Sequence, residues 1–261
     1  MLTSWNVNQF LEKESWDKLK GQESKKIEIW ERAKDYYFSF IKNHILTKDD
    51  LLILHEVPFN KEDSERIVYK ELEQFCADNE FEILPTPNEK QCHFKTVAIF
   101  KKGAYKTEAT YGSMKFTDYA NRIIAVEKVG TEFDEIIIGL HIPVACDILW
   151  NNVISLHKKL PKNKRIIYAG DFNTYISGTD NKNAFYKLLS EGLVDVWLEK
   201  GNPHTKETYI KKTSDEKARL DYILMTGKDF YERSCNINIS VDDTVRYQGY
   251  SDHSALVLFQ E

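Results

Sequence analysis

Six apolar runs in this sequence end in, or are entered through, a side chain able to bind a metal ion or move a proton. In chain order they are SWNVN (Asn6, Asn8), LLILHEVP (Glu56), IIIGLHIP (His141), IIYAGDFN (Asp171, Asn173), ARLDYIL (Asp221) and YSDHSALVL (Asp252, His253). Asp and Asn commonly end strands and form turns, so each one taken singly has a structural explanation. Asp221 resists that explanation, because it stands between Leu220 and Tyr222-Ile223-Leu224, where an unpaired carboxylate is costly to bury. An imidazole would offset the cost, and His253 lies at the mouth of the last apolar run beside Asp252. An Asp–His pair orients and charges the ring, while neighbouring acids hold a hard cation through oxygen ligands. With Asp, Glu and Asn as the ligand candidates and no Cys cluster, Mg²⁺ or Mn²⁺ suits the set better than zinc.

The elements that must position these residues follow from the hydropathy pattern. Short runs rich in Ile, Val, Leu, Tyr and Phe predict strands at 2–7, 51–55, 81–84, 96–101, 122–128, 135–141, 165–169, 220–225, 235–241 and 254–259. Several are apolar at nearly every position, as expected where both faces of a sheet are covered. Helices are predicted at 27–41, with Ile27, Trp30, Ala33, Tyr37 and Phe40 on one face, and at 147–160, with Leu149, Val153, Leu156 and Leu160 inward and Asp147 as cap. Shorter helices are expected at 66–77 and 184–190, the latter stopped by Gly192. Strands this numerous, with few crossover helices, imply hairpins and therefore mixed sheets, two of them packed face to face with helices outside.

Composition sets the outer bounds. A chain of 261 residues without a compositional break or repeat reads as a single domain, 1–261. Its 42% hydrophobic content, with 11 Gly and 6 Pro, excludes disordered, collagen-like and linker-rich chains. The excess of 41 acidic over 36 basic side chains, a net charge of −5, argues against a protein that grips nucleic acid by bulk charge. The spacing of Cys76, Cys92, Cys146 and Cys235 fits no zinc site, and no apolar run approaches the ~18 residues of a membrane span. The N-terminus lacks a secretory signal, so a cytoplasmic monomer with free thiols is expected.

Taken in order, WNVN, the Glu of HEVP, GLHIP, GDFN, RLDYIL and SDH resemble the motif set of the endonuclease/exonuclease/phosphatase superfamily, with its exonuclease III-type and pancreatic-type deoxyribonuclease branches. The resemblance runs from the first ten residues to the last ten. It implies a four-layer α/β/β/α sandwich with the site at one edge of the paired sheets. It also implies roles. Glu56 matches the principal metal ligand, with Asn6 beside it and Asp252 as a second acidic contact. Asp171 matches the residue next to the attacking water, Asn173 a donor to a phosphate oxygen, and Asp221 with His253 the pair that stabilises phosphate charge. His141 resembles a second imidazole that serves the leaving oxygen in the deoxyribonuclease and sphingomyelinase branches. Asn8 departs from the exonuclease III pattern, which has Asp there, and removes one negative charge near the metal. The 50 positions between Asn6 and Glu56 exceed the compact nucleases, so helix 27–41 either covers a sheet or walls the groove.

The resulting expectation is a divalent-metal-dependent phosphoesterase, a nuclease acting on DNA or RNA by in-line attack of water. The alternatives are a phosphodiesterase or phosphatase for a small molecule, nucleotide or lipid headgroup, and an inactive binding module. For substrate contacts the sequence offers Arg122, after the aromatic pair Phe116 and Tyr119, and the basic loop ahead of Asp221, with Lys206, Lys211, Lys212, Lys217 and Arg219 against Glu207, Asp215 and Glu216. The basic run Lys158, Lys159, Lys162, Lys164 and Arg165 starts a strand, which carries it about 20 Å from the chemistry, so it reads as a solvated face. His44, His55, His93, His157 and His204 have no motif support and read as structural.

Overall fold

The apolar runs assemble into two six-stranded mixed sheets. The computed structural model describes residues 1–12, 14, 16–85, 92–114, 119–130, 135–174, 179–211 and 216–260. In chain order its strands are β1 (Leu2–Asn6), β2 (Leu51–Pro58), β3 (Phe81–Pro85), β4 (Phe94–Lys101), β5 (Tyr105–Thr107), β6 (Ile123–Lys128), β7 (Glu135–His141), β8 (Arg165–Asp171), β9 (Leu193–Asp195), β10 (Tyr209–Ile210), β11 (Lys217–Ala218), β12 (Asp221–Thr226), β13 (Ile237–Asp242) and β14 (Ala255–Gln260). The first sheet runs β13-β14-β1-β2-β4-β3, the second β5-β6-β7-β8-β12-β9, and β10 and β11 form a separate small hairpin. β1 with β2 and β7 with β8 are parallel; the other neighbours are antiparallel. Each predicted strand has its counterpart. β5, β9, β10 and β11 were not foreseen, because two or three residues are too few to show a period.

Side chains alternate across each sheet, and this makes three apolar layers from two sheets. Leu51 and Ile53 of β2 face inward, where they meet Ile124, Ile137, Ile167, Ala169 and Ile223 of the second sheet. Leu52 and Leu54 face outward, under Trp30, Tyr37 and Leu72 of the helices Glu23–His44 and Asp63–Asp78. On the far side Ile136, Ile138, Ile166 and Tyr168 lie under Trp150, Val153, Phe185 and Leu188 of the helices Asp147–Lys159 and Thr179–Ser190. The layers are therefore helix, sheet, sheet, helix, and strands covered on both faces need no polar positions. The helix predicted at 27–41 extends over Glu23–His44 and covers the first sheet. Asp147 is the first helical residue of its helix and not the cap, which is Cys146, whose N–H donates to the Asn181 carboxamide at 3.3 Å. No helix among the described residues is long and apolar enough to cross a membrane. The four cysteines are unpaired.

Two backbone irregularities shape the edge where the site forms. In the β2–β4 ladder Leu54 pairs with Val97 and Val57 with Lys95, so His55 and Glu56 together oppose Thr96 as a bulge. Glu56 takes φ +57°, a left-handed conformation that a side chain adopts only at a cost. The bulge leaves His55 buried between the sheets, 3.0 Å from Ser4 Oγ, and turns Glu56 to the rim. Burial holds the His55 imidazole down to about 3, so it stays neutral, as a structural histidine should. The second irregularity is Gly170, at φ +152°, immediately before Asp171. A Cβ there would lie 1.9 Å from the Leu140 carbonyl oxygen, so only glycine allows β7 and β8 to pair up to their last residues. Gly170→Ala is therefore expected to cost about 3 kcal/mol or more in a urea melt; a loss below about 1 kcal/mol would show that the strands can give way.

Candidate active site

Strand register writes a line of polar residues across the second sheet. His141 of β7 pairs with Asp171 of β8, and Asp171 pairs with Asp221 of β12, all at the same edge of the sandwich. The first sheet faces this row with Asn6 at the end of β1, Glu56 on the bulge, and Asp252 and His253 just ahead of β14. Asn6, Asn8, Glu56, Arg122, His141, Asp171, Asn173, Asp252 and His253 line one cleft of about 410 Å³, together with Gln9, Phe94, Pro143, Val144, Tyr209 and Leu220. Asp221 stands behind His253, its Oδ2 2.9 Å from Nδ1 of the ring. It opens β12 rather than lying inside it, so the imidazole reaches it from the sandwich edge.

The polar contacts are dense. Asn6 Nδ2 donates to Asp171 Oδ2 at 3.2 Å and to Glu56 Oε1 at 3.4 Å. The Asn8 backbone N–H donates to Asn6 Oδ1 at 3.0 Å, and the Ser251 hydroxyl holds the Asn6 carbonyl at 2.7 Å. Asp171 Oδ1 accepts from the Asn173 N–H at 3.0 Å. His141 Nε2 is 3.2 Å from Glu56 Oε1 and 3.9 Å from Asp171 Oδ2, and His253 Nε2 is 3.8 Å from the same Asp171 oxygen.

Burial drives the electrostatics, and the neighbours decide its outcome. Burial alone would strip the proton from His253, but Asp221, Asp171 and Asp252 outweigh it and lift the imidazole to about 10. Burial pushes Asp171 the other way for a carboxyl, up to about 7, with Asp221 and Glu56 adding to it and His253 opposing. Glu56 is raised by burial and by Asp252, against the pull of Arg122. His141 is held well below the ordinary histidine value by burial and then by the Arg122 charge.

The remaining predicted contacts fall in different places. Asn8 turns its amide nitrogen to the carbonyls of Glu12 and Glu14, at 2.8 and 3.2 Å, and so supports the loop while its backbone holds Asn6. Asn173 Nδ2 donates to the Ile142 carbonyl at 2.8 Å. Arg122 reaches the cleft, stacked on Phe94 with its guanidinium 4.6 Å from the ring centre. None of the four described cations of the basic loop lines the cleft, and Lys217 lies 3.8 Å from Glu207. Lys206 is paired with Asp243, Lys211 with Glu216 at 3.1 Å, and Arg219 grips Asp195 through two bonds of 2.8 and 2.7 Å while covering Tyr222. Lys212, Asp215 and Phe116 lie outside the described residues. In the run 158–165, Lys158 pairs with Glu191, Lys164 with Glu127 and Arg165 with Glu135.

Sequence reasoning passed over three residues that build the site. Tyr209 packs its ring 4.9 Å from His253 and lines the cleft; burial and then Asp252 keep its phenol protonated, up to about 12. Thr208 Oγ1 accepts from the N–H groups of Leu220 and Asp221, at 3.1 and 3.0 Å. Asn181 is a buried staple: its Nδ2 donates to the Pro143 and Asn173 carbonyls at 3.0 and 3.1 Å, and its Oδ1 accepts from Trp150 Nε1 at 2.9 Å. Nothing in the local sequence marks any of them, since each acts on a partner brought by another part of the fold.

Two outcomes follow from this network. A proton on His253 stabilises the fold below the ordinary histidine value of 6.5, and the benefit is lost as pH rises through about 10. In an NMR titration of the metal-free protein the His253 ring should stay protonated through neutral pH, and Asp221→Asn should bring its titration down by at least a unit; an unchanged midpoint would remove Asp221 as the cause. Asn181→Leu removes the partner of four groups, the Cys146 and Trp150 N–H and the Pro143 and Asn173 carbonyls, and should cost about 3 kcal/mol by denaturant unfolding; a cost under about 1 kcal/mol would mean the loops hold themselves.

No protein-family model matches the sequence, and a search of curated proteins gives no match. Solved structures do resemble the fold. An endonuclease/exonuclease/phosphatase family protein from Leptotrichia buccalis is 18% identical, with 100% of this chain and 98% of that one covered at a TM-score of 0.61. The AP endonuclease of Leishmania major is 12% identical, covering 100% and 87% at 0.62. D. rerio TDP2 complexed with single strand DNA product is 16% identical, covering 100% and 98% at 0.58. Over its full length, then, the chain has the endonuclease/exonuclease/phosphatase fold, with its polar row and cleft at one edge of the paired sheets.

Proposed function

We propose that the chain is a divalent-metal-dependent phosphoesterase, a nuclease that hydrolyses phosphodiester bonds in DNA or RNA by in-line attack of water. The observation that carries this reading is the buried Asp221–His253 pair facing Asp171 across a cleft that also holds Glu56, Asn6 and Asp252. The likeness to an AP endonuclease and to TDP2 complexed with a DNA product supports it.

The donor chemistry fits a hard cation. Four carboxylates, Glu56, Asp171, Asp221 and Asp252, gather near Arg122 and the imidazolium of His253, and Glu56 and Asp171 are pushed towards their neutral forms by burial and then by their carboxylate neighbours. Glu56, Asn6 and Asp252 are the residues that would hold Mg²⁺ or Mn²⁺ through oxygen. When bound, such an ion acts as a Lewis acid towards phosphate oxygens.

The chain's own groups divide the rest. Asp171, lifted to about 7, exchanges a proton near neutral pH and is suited to take one from the attacking water. Asn6 orients that carboxylate from one side and the Asn173 backbone from the other. His253, kept protonated by Asp221, donates from Nε2 to the charge that gathers on the phosphate. Phe94 and Tyr209 offer ring faces on which a base can stack, which favours nucleic acid. The second reading, a small phosphate ester, is favoured by one fact: among the described cleft-lining residues Arg122 is the one Lys or Arg.

The purified protein should be incubated with Mg²⁺ or Mn²⁺ against supercoiled plasmid, an abasic duplex, single-stranded RNA and a chromogenic phosphodiester. Cleavage of a nucleic acid is expected, with Glu56→Ala, Asp171→Ala and His253→Ala each lowering turnover by about 10² or more at unchanged fold. Cleavage of the small ester alone would select the second reading. Inactivity on all four, or near-normal rates in these variants, would overturn the assignment.

A further inference from the structure

We propose that His55 is a positioning residue for Glu56: its buried ring, bonded to hydroxyls on both neighbouring strands, holds the bulge that turns Glu56 into the cleft. The affinity of the cleft for a divalent ion then depends on His55. That effect on the ion rests on the reading of Glu56 as a metal ligand; the effect on the backbone does not.

Alternation along β2 shows why the bulge matters. Leu51 and Ile53 face the second sheet, while Leu52 and Leu54 face the helices. Continued regularly, that period would put His55 inward, Glu56 outward beneath the helices Glu23–His44 and Asp63–Asp78, and Val57 inward. Val57 instead packs in the outer layer with Leu52 and Leu54, and Glu56 lines the cleft. His55 and Glu56 together oppose Thr96, so the strand gains one residue there, and Glu56, at φ +57°, takes the irregular conformation. Without that slip its carboxylate would enter the apolar layer of Trp30, Tyr37 and Val68.

The ring fixes the place of the extra residue. His55 is fully buried; its Nε2 lies 3.0 Å from Ser4 Oγ of β1 and its Nδ1 3.4 Å from Thr96 Oγ1 of β4. Hydroxyls donate or accept, so both contacts hold whichever ring nitrogen carries the proton. The tie to Thr96 keeps His55 opposite that residue and leaves Glu56 as the one outside the ladder. On the other side Asn6 pairs with His55 in the parallel ladder, and the Val7 N–H donates to the His55 carbonyl at 3.0 Å. The second sheet closes the space: a Cβ on Gly170 would meet His55 Cε1 at 2.9 Å, so the ring fills the room that glycine leaves beside Asp171. Ser4, His55 and Thr96 are thus polar side chains buried between two apolar faces, a cost that packing the core does not require.

The test compares three variants. His55→Leu keeps the volume and removes both side-chain bonds, and His55→Gln keeps a donor and an acceptor. His157→Leu is the control, breaking a buried bond of 3.1 Å to the Tyr168 hydroxyl on the far side of the second sheet. Once circular dichroism shows each to be folded, Mn²⁺ binding followed by electron paramagnetic resonance should weaken about tenfold or more in His55→Leu, recover in part in His55→Gln and stay within about twofold of wild type in His157→Leu. In the metal-free protein the backbone ¹³C shifts of Glu56 should report its left-handed conformation and move towards extended values in His55→Leu. Should His55→Leu not fold, Ser4→Ala combined with Thr96→Val removes the same two bonds and should weaken Mn²⁺ binding about threefold or more. Wild-type affinity in folded His55→Leu, equal weakening by His157→Leu, or Glu56 shifts that stay left-handed would each overturn the role of His55. If the wild type binds no Mn²⁺, the metal reading fails, and the Glu56 shifts alone decide whether His55 holds the bulge.

Discussion

One hydrogen-bonded ion pair inside the sandwich, Asp221 with His253, joins the edges of the two sheets at 2.9 Å. Asp221 opens β12 of the second sheet, and His253 precedes β14 of the first. Neither group is tolerable in that interior alone. A buried carboxylate or imidazolium left without its partner costs several kcal/mol, so each justifies the other's burial. Around this pair the chain commits further polar groups: Thr208 holds the Asp221 and Leu220 backbone, and Tyr209 covers the ring. The cationic ring in turn faces Asp171 at 3.8 Å, and burial set against the neighbouring charges spreads the proton affinities in the cleft.

The backbone shows where this arrangement is costly. Glu56 and Asn173 both take left-handed conformations, at φ +57° and +46°, and Gly170 provides a third irregular position beside Asp171. All three lie within the cleft or next to it, while the strands behind them are regular. Asn8 and Gln9 take positive φ in the same cleft, while Phe10, Glu12, Glu80, Tyr119 and Ala145 do so without lining it, so four of the nine such side chains among the described residues face the site.

Much of this was legible in the sequence because the signal is one of contrast. Asn6, Glu56, His141, Asp171, Asp221 and His253 each break an apolar run at its end, and strand ends on one edge of a sheet are neighbours whatever their separation along the chain. The wholly apolar runs likewise announced sheets covered on both faces. The cations were misjudged because proximity in sequence is a poor guide to charge pairing. Arg219 stands two residues from Asp221 yet spends both of its bonds on Asp195, and Lys206 is claimed by Asp243. Tyr209, Thr208 and Asn181 were invisible for a related reason: a single hydroxyl, ring or carboxamide carries no period, and its use is defined by elements the local sequence does not contain.

The proposed reaction is attack on a phosphodiester by water activated beside Asp171. Its most direct test is a single turnover of a nucleic-acid strand with Mg²⁺ in H₂¹⁸O, with the products weighed by mass spectrometry. One ¹⁸O in the new terminal phosphate is expected from the wild-type protein, with Asp171→Ala forming that product at least about 10² times more slowly. A strand left intact, a cyclic or unlabelled phosphate, or equal labelling by the variant would contradict it.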